Sequence, residues 1–106
     1  MTANTNATRI SRSGAKCLKV LFALSGHSLT GLSNTELSKA LGESPATINR
    51  CLNTLVAEGA VIKLVTGRYA PGIRILQIAV RHHREFSNMR DRMDEIDQRV
   101  LAGANL

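Results

Sequence analysis

The stretch LSNTELSKALGESPATINRCLNTLVAEGA, residues 32–60, decides the fold because it carries the start and stop signals of two short helices. Ser33 and Glu36 have the spacing of a capping box, in which each side chain satisfies a free backbone N–H. A helix is therefore predicted to begin at Asn34, and Gly42 is predicted to end it. Two helices joined by so tight a turn have the outline of a helix-turn-helix motif.

The second helix of this stretch has equally clear boundaries. Ser44 is the predicted N-cap, and Pro45 occupies the first helical position, where a missing N–H costs nothing. Gly59 is predicted to stop the helix. The apolar residues at helical spacing are expected to face inward: Leu37, Ala40 and Leu41 in the first helix, and Ile48, Cys51, Leu52, Leu55 and Val56 in the second.

The outer face of the second helix is small, neutral and polar, with a single arginine. It consists of Ala46, Thr47, Asn49, Arg50, Asn53 and Thr54. Short hydrogen-bonding side chains let a helix approach closely, and one guanidinium can bond guanine in bidentate fashion, as reading of the major groove requires. The alternative is a solvated helix face that is poor in charge.

Before this motif, residues 13–24 are predicted to form a first core helix. Its inward stripe is predicted to comprise Ala15, Cys17, Leu18, Leu21, Phe22 and Leu24. Lys16 and Lys19 fall on its outer side, and Leu29 and Leu32 of the following connector are expected to cap the core, with a short strand conceivable around Leu32. Residues 1–12 are expected to be a mobile arm, in which Arg9 and Arg12 are either solvated or within reach of a phosphate or minor groove.

After Gly59 the apolar pattern changes to that of a β-hairpin. Residues 60–65 are apolar and β-branched, residues 66–68 have turn chemistry, and the chain returns through Tyr69-Ala70 to Pro71-Gly72, which closes the second strand. A hairpin directly after a recognition-type helix is the wing of a winged helix. Arg68 at the wing tip, flanked by Lys63, suits a phosphate or minor-groove contact, although an ordinary solvated arginine explains the residue equally well.

A long C-terminal helix is predicted from Ile73 to about Ala102, because this segment contains neither Pro nor Gly. Alternating steps of four and three residues give it a heptad seam. The seam comprises Ile75, Ala79, His82, Phe86, Met89, Met93, Ile96 and Val100. We expect homodimerisation through Phe86, Met89, Met93, Ile96 and Val100. The alternative is that the first half of the helix folds back over the domain.

Composition limits the classes of function. The chain has 106 residues and a net charge of +6, and its eleven basic and three acidic residues before position 85 contrast with three basic and five acidic residues from position 85 onward. A basic domain favours a polyanionic partner, either nucleic acid or an anionic membrane surface. The two cysteines are expected to be reduced core residues, and no metal spacing, phosphate-binding glycine loop or catalytic pair is present. We therefore expect no enzyme activity, no cofactor, no metal and no membrane partner.

These residues together resemble the DNA-binding domain of the IclR family of bacterial transcriptional regulators over about residues 13–82. The blocks that carry the resemblance are residues 15–24, 32–37, 47–50 with 52–55, Glu58-Gly59, and Gly67-Arg68-Tyr69 followed by Gly72 and Leu76. The resemblance implies a three-helix winged domain that dimerises on a palindromic operator, with Thr47, Arg50 and Arg68 directed at DNA.

Two departures from the family pattern are evident. Ala46 stands where the family often has serine, which removes one phosphate hydrogen bond. The family's effector-binding domain does not follow the linker helix, so the chain is expected to be either a truncated protein or a stand-alone regulator of the kind that phage or other mobile DNA encodes.

The sequence thus predicts a mainly α winged helix-turn-helix, a three-helix bundle plus a β-hairpin wing. Residues 1–12 form an arm, 13–72 the winged domain and 73–106 the long helix.

The predicted function is that of a cytoplasmic, nucleoid-associated transcription regulator that binds double-stranded DNA as a dimer. The alternative is a DNA-binding adaptor of a phage or mobile-element replication or recombination complex, whose C-terminal helix recruits a protein partner. The candidate DNA-binding residues are Ser44, Ala46, Thr47, Asn49, Arg50, Asn53, Thr54, Lys63, Arg68 and Lys19.

Overall fold

The computed structural model of the protein describes residues 9–104. Its first helix, α1, is Arg12–Ala23, with Ser11 as N-cap, whose side chain accepts a hydrogen bond from the Gly14 N–H. The last two residues of the predicted arm therefore belong to this helix and its cap. The first eight residues of that arm lie outside the described residues.

The two central helices begin and end where their capping signals predict. Helix α2 is Asn34–Leu41, with Ser33 and Glu36 forming both hydrogen bonds of the capping box, and Gly42 closes it in the left-handed conformation at φ +65°. Helix α3 is Pro45–Ala57, with Ser44 as N-cap and Glu58 as C-cap. Gly59 follows at φ +77°, which turns the chain away from the helix axis.

The wing is a two-stranded antiparallel sheet made of β1, Val61–Lys63, and β2, Tyr69–Pro71. Strand β1 is shorter than predicted because the turn takes up Leu64 to Arg68, closed by a bond from the Leu64 N–H to the Arg68 carbonyl at 2.7 Å, whereas β2 begins at Tyr69 as predicted. Leu32 adds an isolated bridge to Tyr69, with N–H to carbonyl distances of 2.9 and 2.8 Å. In place of a short strand around Leu32 there is this single bridge residue, which attaches the connector to the wing.

The core lies where α1, α2 and α3 meet the wing. Its fully buried large side chains come from every one of these elements: Val20, Leu24, Leu37, Ile48, Leu52 and Val61. Cys51, Leu55, Tyr69 and Ala70 complete the buried set. The inward positions predicted for the helix-turn-helix are confirmed, with two exceptions: Ala40 lies at the edge of its stripe, and Val56 is rotated about 100° from Leu55, so both are exposed.

The stripe predicted for α1 is correct for Leu24, which is buried, and for Cys17 and Leu21, which pack against the core, but it is wrong for Leu18 and Phe22. Leu18 is half exposed and Phe22 is 67% exposed, whereas Val20, which the prediction left out, is buried together with Leu24. Apolar residues occur on both sides of this helix, so its sequence allows either side to face the core. Packing against α3 decides which side is buried. Leu29 is also wrong as a core cap, since it is 92% exposed.

Helix α4, Ile73–Ala104, is the long helix predicted after the wing, and its 32 residues correspond to about 48 Å. The chain divides into two compact units, residues 1–74 and 75–106. Within the second unit the five predicted dimerisation residues are between 50% and 64% exposed. The rings of His82 and Phe86 lie 4.7 Å apart between centroids, which places these two seam positions on one face of the helix.

Within residues 9–104, none of the helices combines the length and apolar character that crossing a bilayer requires.

Candidate nucleic-acid interface

The outer face of α3 is held out to solvent because the opposite face is fixed in the core. Ile48 and Leu52 are completely buried, which sets the rotation of the helix about its own axis. The residues predicted to read DNA then fall on the outer side. Ala46, Asn49, Arg50, Asn53 and Thr54 are exposed, and Thr47 is partly exposed.

Hydroxyl groups organise the first half of this face. The Ser44 hydroxyl donates to the Thr47 hydroxyl at 2.9 Å and accepts the Thr47 backbone N–H at 3.2 Å. Arg50 Nη2 donates to the same Thr47 hydroxyl at 3.4 Å. Three of the predicted site residues therefore form one chain of hydrogen bonds, which orients the guanidinium of Arg50.

Two predicted site residues further along α3, Asn53 and Thr54, differ in the hydrogen-bonding groups that they leave free for a ligand. The Thr54 hydroxyl donates to the Arg50 carbonyl at 3.0 Å, so its proton is used within the helix. Asn53 lies exposed one residue before it and presents an amide that can both donate and accept.

The turn between α2 and α3 fixes the angle at which the recognition helix leaves the domain. The Asn34 side-chain amide donates to the Pro45 carbonyl at 3.4 Å, joining the starts of the two helices. The Ser38 hydroxyl donates to the Glu43 backbone carbonyl on the other side of Gly42. These bonds cross the turn, so the helix-turn-helix is held by polar contacts as well as by the core.

Arg68 does not project from the wing tip as predicted. Its Nε donates to the Thr30 carbonyl at 2.9 Å and its Nη2 to the Gly31 carbonyl at 3.0 Å, while Nη1 lies 2.6 Å from Glu36 Oε1. The guanidinium is turned back onto the connector and the start of α2. All three guanidinium nitrogens are engaged within the protein, which indicates a structural role, and the DNA contact of Arg68 stays a prediction.

Glu36 is the centre of this polar cluster. The Ser33 backbone N–H, and next the Arg68 guanidinium, hold the pKa of the Glu36 carboxyl below its ordinary value, because both stabilise the ionised form. The carboxylate thus serves the capping box of α2 and the wing at once.

The other predicted cations lie on separate parts of the surface. Lys63 is exposed on β1, with its Nζ 5.8 Å from the centre of the Tyr69 ring. Lys19 is exposed on α1, outside the groove that separates α1 from α3. The structure therefore brings neither residue into the hydroxyl network of α3.

Arg12, Ser13 and Lys16 line the groove between α1 and α3, opposite Thr47, Arg50 and Thr54. From the sequence, Arg12 is expected in a mobile arm and Lys16 on the outer side of α1, with no connection between these residues and α3. The signal was nevertheless present, since Arg12 and Lys16 are four residues apart and share a helix face.

Among residues 9–104, no three His, Cys, Asp or Glu side chains come together in a way that would hold a metal ion. Cys17 and Cys51 are free thiols. Burial, and next the neighbouring Cys17 thiol, raise the pKa of the Cys51 thiol to about 11.

Three helices around one core, a hairpin wing and a polar outer face on the third helix define a winged helix-turn-helix domain, a DNA-binding class of protein fold. Residues 15–63 match the family model of the IclR helix-turn-helix domain. This segment is therefore an IclR-type helix-turn-helix domain, as the sequence resemblance predicted.

One solved structure supports the same assignment. The crystal structure of Pseudomonas aeruginosa HmgR is similar to this chain, with a TM-score of 0.58 and 25% sequence identity. The similarity covers 66% of this chain and 29% of the HmgR chain, so this chain corresponds to less than a third of that protein. No curated protein matches the sequence.

Proposed function

We propose that this protein is a non-enzymatic transcription regulator that recognises a specific double-stranded DNA sequence as a homodimer. The observation that carries the proposal is the exposed face of α3. Its side chains are short and polar, and its single guanidinium is oriented through Thr47 and Ser44. A guanidinium on such a face is suited to the O6 and N7 atoms of guanine in the major groove.

The wing supports binding in a different way from the one expected from sequence. Two cations, Lys63 and Arg68, are predicted from the sequence to serve the wing. Because Arg68 is engaged with the connector, Lys63 is the one of the two that is more exposed to solvent. An exposed lysine supplies attraction to phosphate without base preference. In this proposal Lys19 contributes in the same manner.

Homodimerisation is supported by the exposed seam of α4. Phe86, Met89, Met93, Ile96 and Val100 lie at heptad spacing and remain half exposed or more in the single chain. An apolar stripe of this length on an isolated helix is stabilised when a second helix covers it. Two copies joined in this way would present two α3 helices to the two halves of a palindromic site.

The test is selection of bound fragments from random duplex DNA with three proteins: the unchanged chain, Arg50→Ala, and Arg92→Ala as a control. The control removes the same charge from α4, within the acidic segment after residue 84. A palindromic motif is expected with the unchanged chain and with Arg92→Ala, while Arg50→Ala should lose preference at one base of each half-site. Strong salt-sensitive binding without a motif would contradict sequence-specific regulation.

The charge distribution favours one alternative, a DNA-binding adaptor whose α4 recruits another protein. Five acidic residues lie from position 85 onward, four of them between Asp91 and Asp97. Replacing those four by their amides leaves the heptad seam intact. An adaptor would then lose its protein partner, whereas a dimeric regulator would keep both its self-association and its DNA motif.

A further inference from the structure

An open groove of 530 Å³ separates the beginning of α1 from the outer face of α3. Arg12, Ser13 and Lys16 form one wall, and the other wall is formed by Thr47, Arg50 and Thr54. We call this feature the α1–α3 groove. Half of its polar wall therefore belongs to α1, a helix outside the helix-turn-helix.

The groove carries positive charge on both walls and no acidic side chain among the residues that line it. Arg12 and Arg50 are exposed on opposite sides. Lys16 Nζ lies 3.4 Å from Glu43 Oε2, and 42% of the lysine side chain remains exposed. An ion pair this open to solvent contributes little to stability, so the ammonium can exchange its carboxylate for another anion at small cost.

The groove and the reading face share side chains. Thr47 and Arg50 line the groove and also belong to the hydroxyl network on the first half of α3. A ligand that contacts the outer face of α3 therefore passes the mouth of the groove. In a DNA complex the nearest groups beyond the base edges are the phosphates of the same strand, which are held by arginine, lysine and hydroxyl side chains.

From this arrangement we infer that Arg12, Ser13 and Lys16 hold the sugar-phosphate backbone of the DNA whose bases α3 reads. The inference rests on the proposed function and deepens it by assigning the phosphodiester contacts to α1. It also assigns different roles to the two walls of the groove. The α1 wall supplies affinity for any DNA sequence, and Arg50 on the opposite wall supplies preference for particular bases.

Salt dependence gives the first test. The slope of log K against log salt is negative, and each phosphate contact that is lost reduces its magnitude by about 0.9 for B-DNA. Arg12→Gln and Lys16→Gln should each reduce this magnitude by about that amount per bound protomer and weaken specific and random duplexes by the same factor. Arg92→Gln, which removes a charge from α4, is the matched control and should leave the slope unchanged.

Glu43 provides a second test with the opposite sign. In this scheme the Glu43 carboxylate competes with phosphate for Lys16, so Glu43→Gln should tighten binding to all duplexes several-fold. The double variant Lys16→Gln/Glu43→Gln should lose this gain. A Glu43→Gln protein that binds no more tightly would overturn the assignment of Lys16.

Alkylation of the Cys17 thiol can measure whether DNA occupies the α1–α3 groove, without any substitution of the residues that line it. Cys17 lines the groove and is partly exposed, whereas Cys51 is buried and its pKa is raised to about 11, so iodoacetamide should modify Cys17 first. A bound duplex should slow alkylation of Cys17 at least several-fold, as measured by mass spectrometry. Equal rates with and without bound duplex would contradict a phosphodiester in the groove.

The experiments distinguish failure of the inference from failure of the proposed function. If the unchanged protein selects a motif but Arg12→Gln and Lys16→Gln bind like it at every salt concentration, the α1 wall is not a phosphate site, although the regulator proposal stands. If the unchanged protein selects no motif, the proposed function fails by itself. The slope and the Cys17 protection then still decide whether the groove holds nucleic acid backbone.

Discussion

Arg68 Nη1 and Glu36 Oε1 lie 2.6 Å apart, joining the turn of the wing to the first turn of α2. The same guanidinium donates to the carbonyls of Thr30 and Gly31 in the connector. One side chain thus links the wing to two segments, the connector and the start of α2, that lie more than thirty residues before it in sequence. These bonds explain why the guanidinium does not extend from the wing.

Arg68→Ala is expected to lower stability, because two hydrogen bonds to backbone carbonyls and one ion pair are lost. The two carbonyl bonds alone correspond to about 1–2 kcal/mol for a partly exposed side chain. Urea unfolding measures this difference. Lys63→Ala, the matched loss of an exposed wing cation, should change stability by less than about 0.5 kcal/mol. Equal effects of the two variants would contradict the structural role of Arg68.

Glu36→Gln is expected to make stability less dependent on pH. The pKa of Glu36 is lowered in the folded protein, so its ionised form contributes stability above its ordinary pKa of 4.5. This contribution is lost as pH falls through the lowered folded-state pKa. Glutamine still accepts the Ser33 N–H of the capping box, so the variant removes the charge alone.

Thermal unfolding at pH 7 and at about pH 3 tests the Glu36 prediction. The unchanged protein should lose more stability on acidification than Glu36→Gln does. The control is Glu58→Gln, whose carboxylate forms no ion pair within the described residues. If Glu58→Gln reduced the pH dependence of stability as much as Glu36→Gln does, the effect would come from the change in net charge and not from the contacts of Glu36.

Gly31→Ala is expected to be strongly destabilising. Gly31 has φ +68°, and a Cβ at this position would lie 2.9 Å from the Tyr69 carbonyl carbon. The left-handed conformation alone costs roughly 1–2 kcal/mol for a residue with a side chain. Gly26→Ala is the control, because Gly26 has φ +82° but open space around its Cβ position. Chemical denaturation should therefore show a larger loss for Gly31→Ala.

Arg50→Ala and Lys19→Ala should weaken DNA binding in different ways. Loss of a bidentate base contact costs about 1–3 kcal/mol on the preferred site, with a relaxed preference at one base pair. Loss of Lys19 should weaken all sequences alike. Titration of each variant against the selected duplex and a scrambled duplex measures both effects. Equal losses on the two duplexes for Arg50→Ala would remove its reading role.

Ile96→Glu is expected to shift the protein from dimer to monomer, because it places a charge in the apolar seam of α4. Gln98→Glu adds the same charge two residues later, about 200° around the helix, and should leave the dimer intact. Analytical ultracentrifugation over a range of concentrations resolves the two states. A dimer that survives Ile96→Glu would show that the chains associate through another surface.

Local signals accounted for most of what the sequence predicted correctly. Ser33 with Glu36 and Ser44 with Pro45 act within three or four residues, as do the glycines that end α2 and α3, so their effects are encoded in short stretches of chain. The family resemblance rests on the order and spacing of these same signals. It extended a correct prediction from the helices to the whole winged domain.

The errors share a different cause, since each depends on contacts that are distant in sequence. The buried face of α1 is chosen by packing against α3, and the helix's own pattern, with Leu18 and Phe22 on one side and Val20 on the other, does not decide between them. The partners of Arg68 are carbonyls 37 and 38 residues away. The residues next to an arginine in a turn do not indicate whether its side chain extends into solvent or folds back onto the protein.

The backbone bridge between Leu32 and Tyr69 has a consequence for the thermodynamics of binding. A hairpin with three residues in each strand is marginal by itself in water, but here a third segment holds it through two hydrogen bonds. The amide protons of Leu32 and Tyr69 should accordingly exchange with solvent only when the surrounding core opens. The wing enters a complex already ordered, so little conformational entropy is lost there when a ligand is bound.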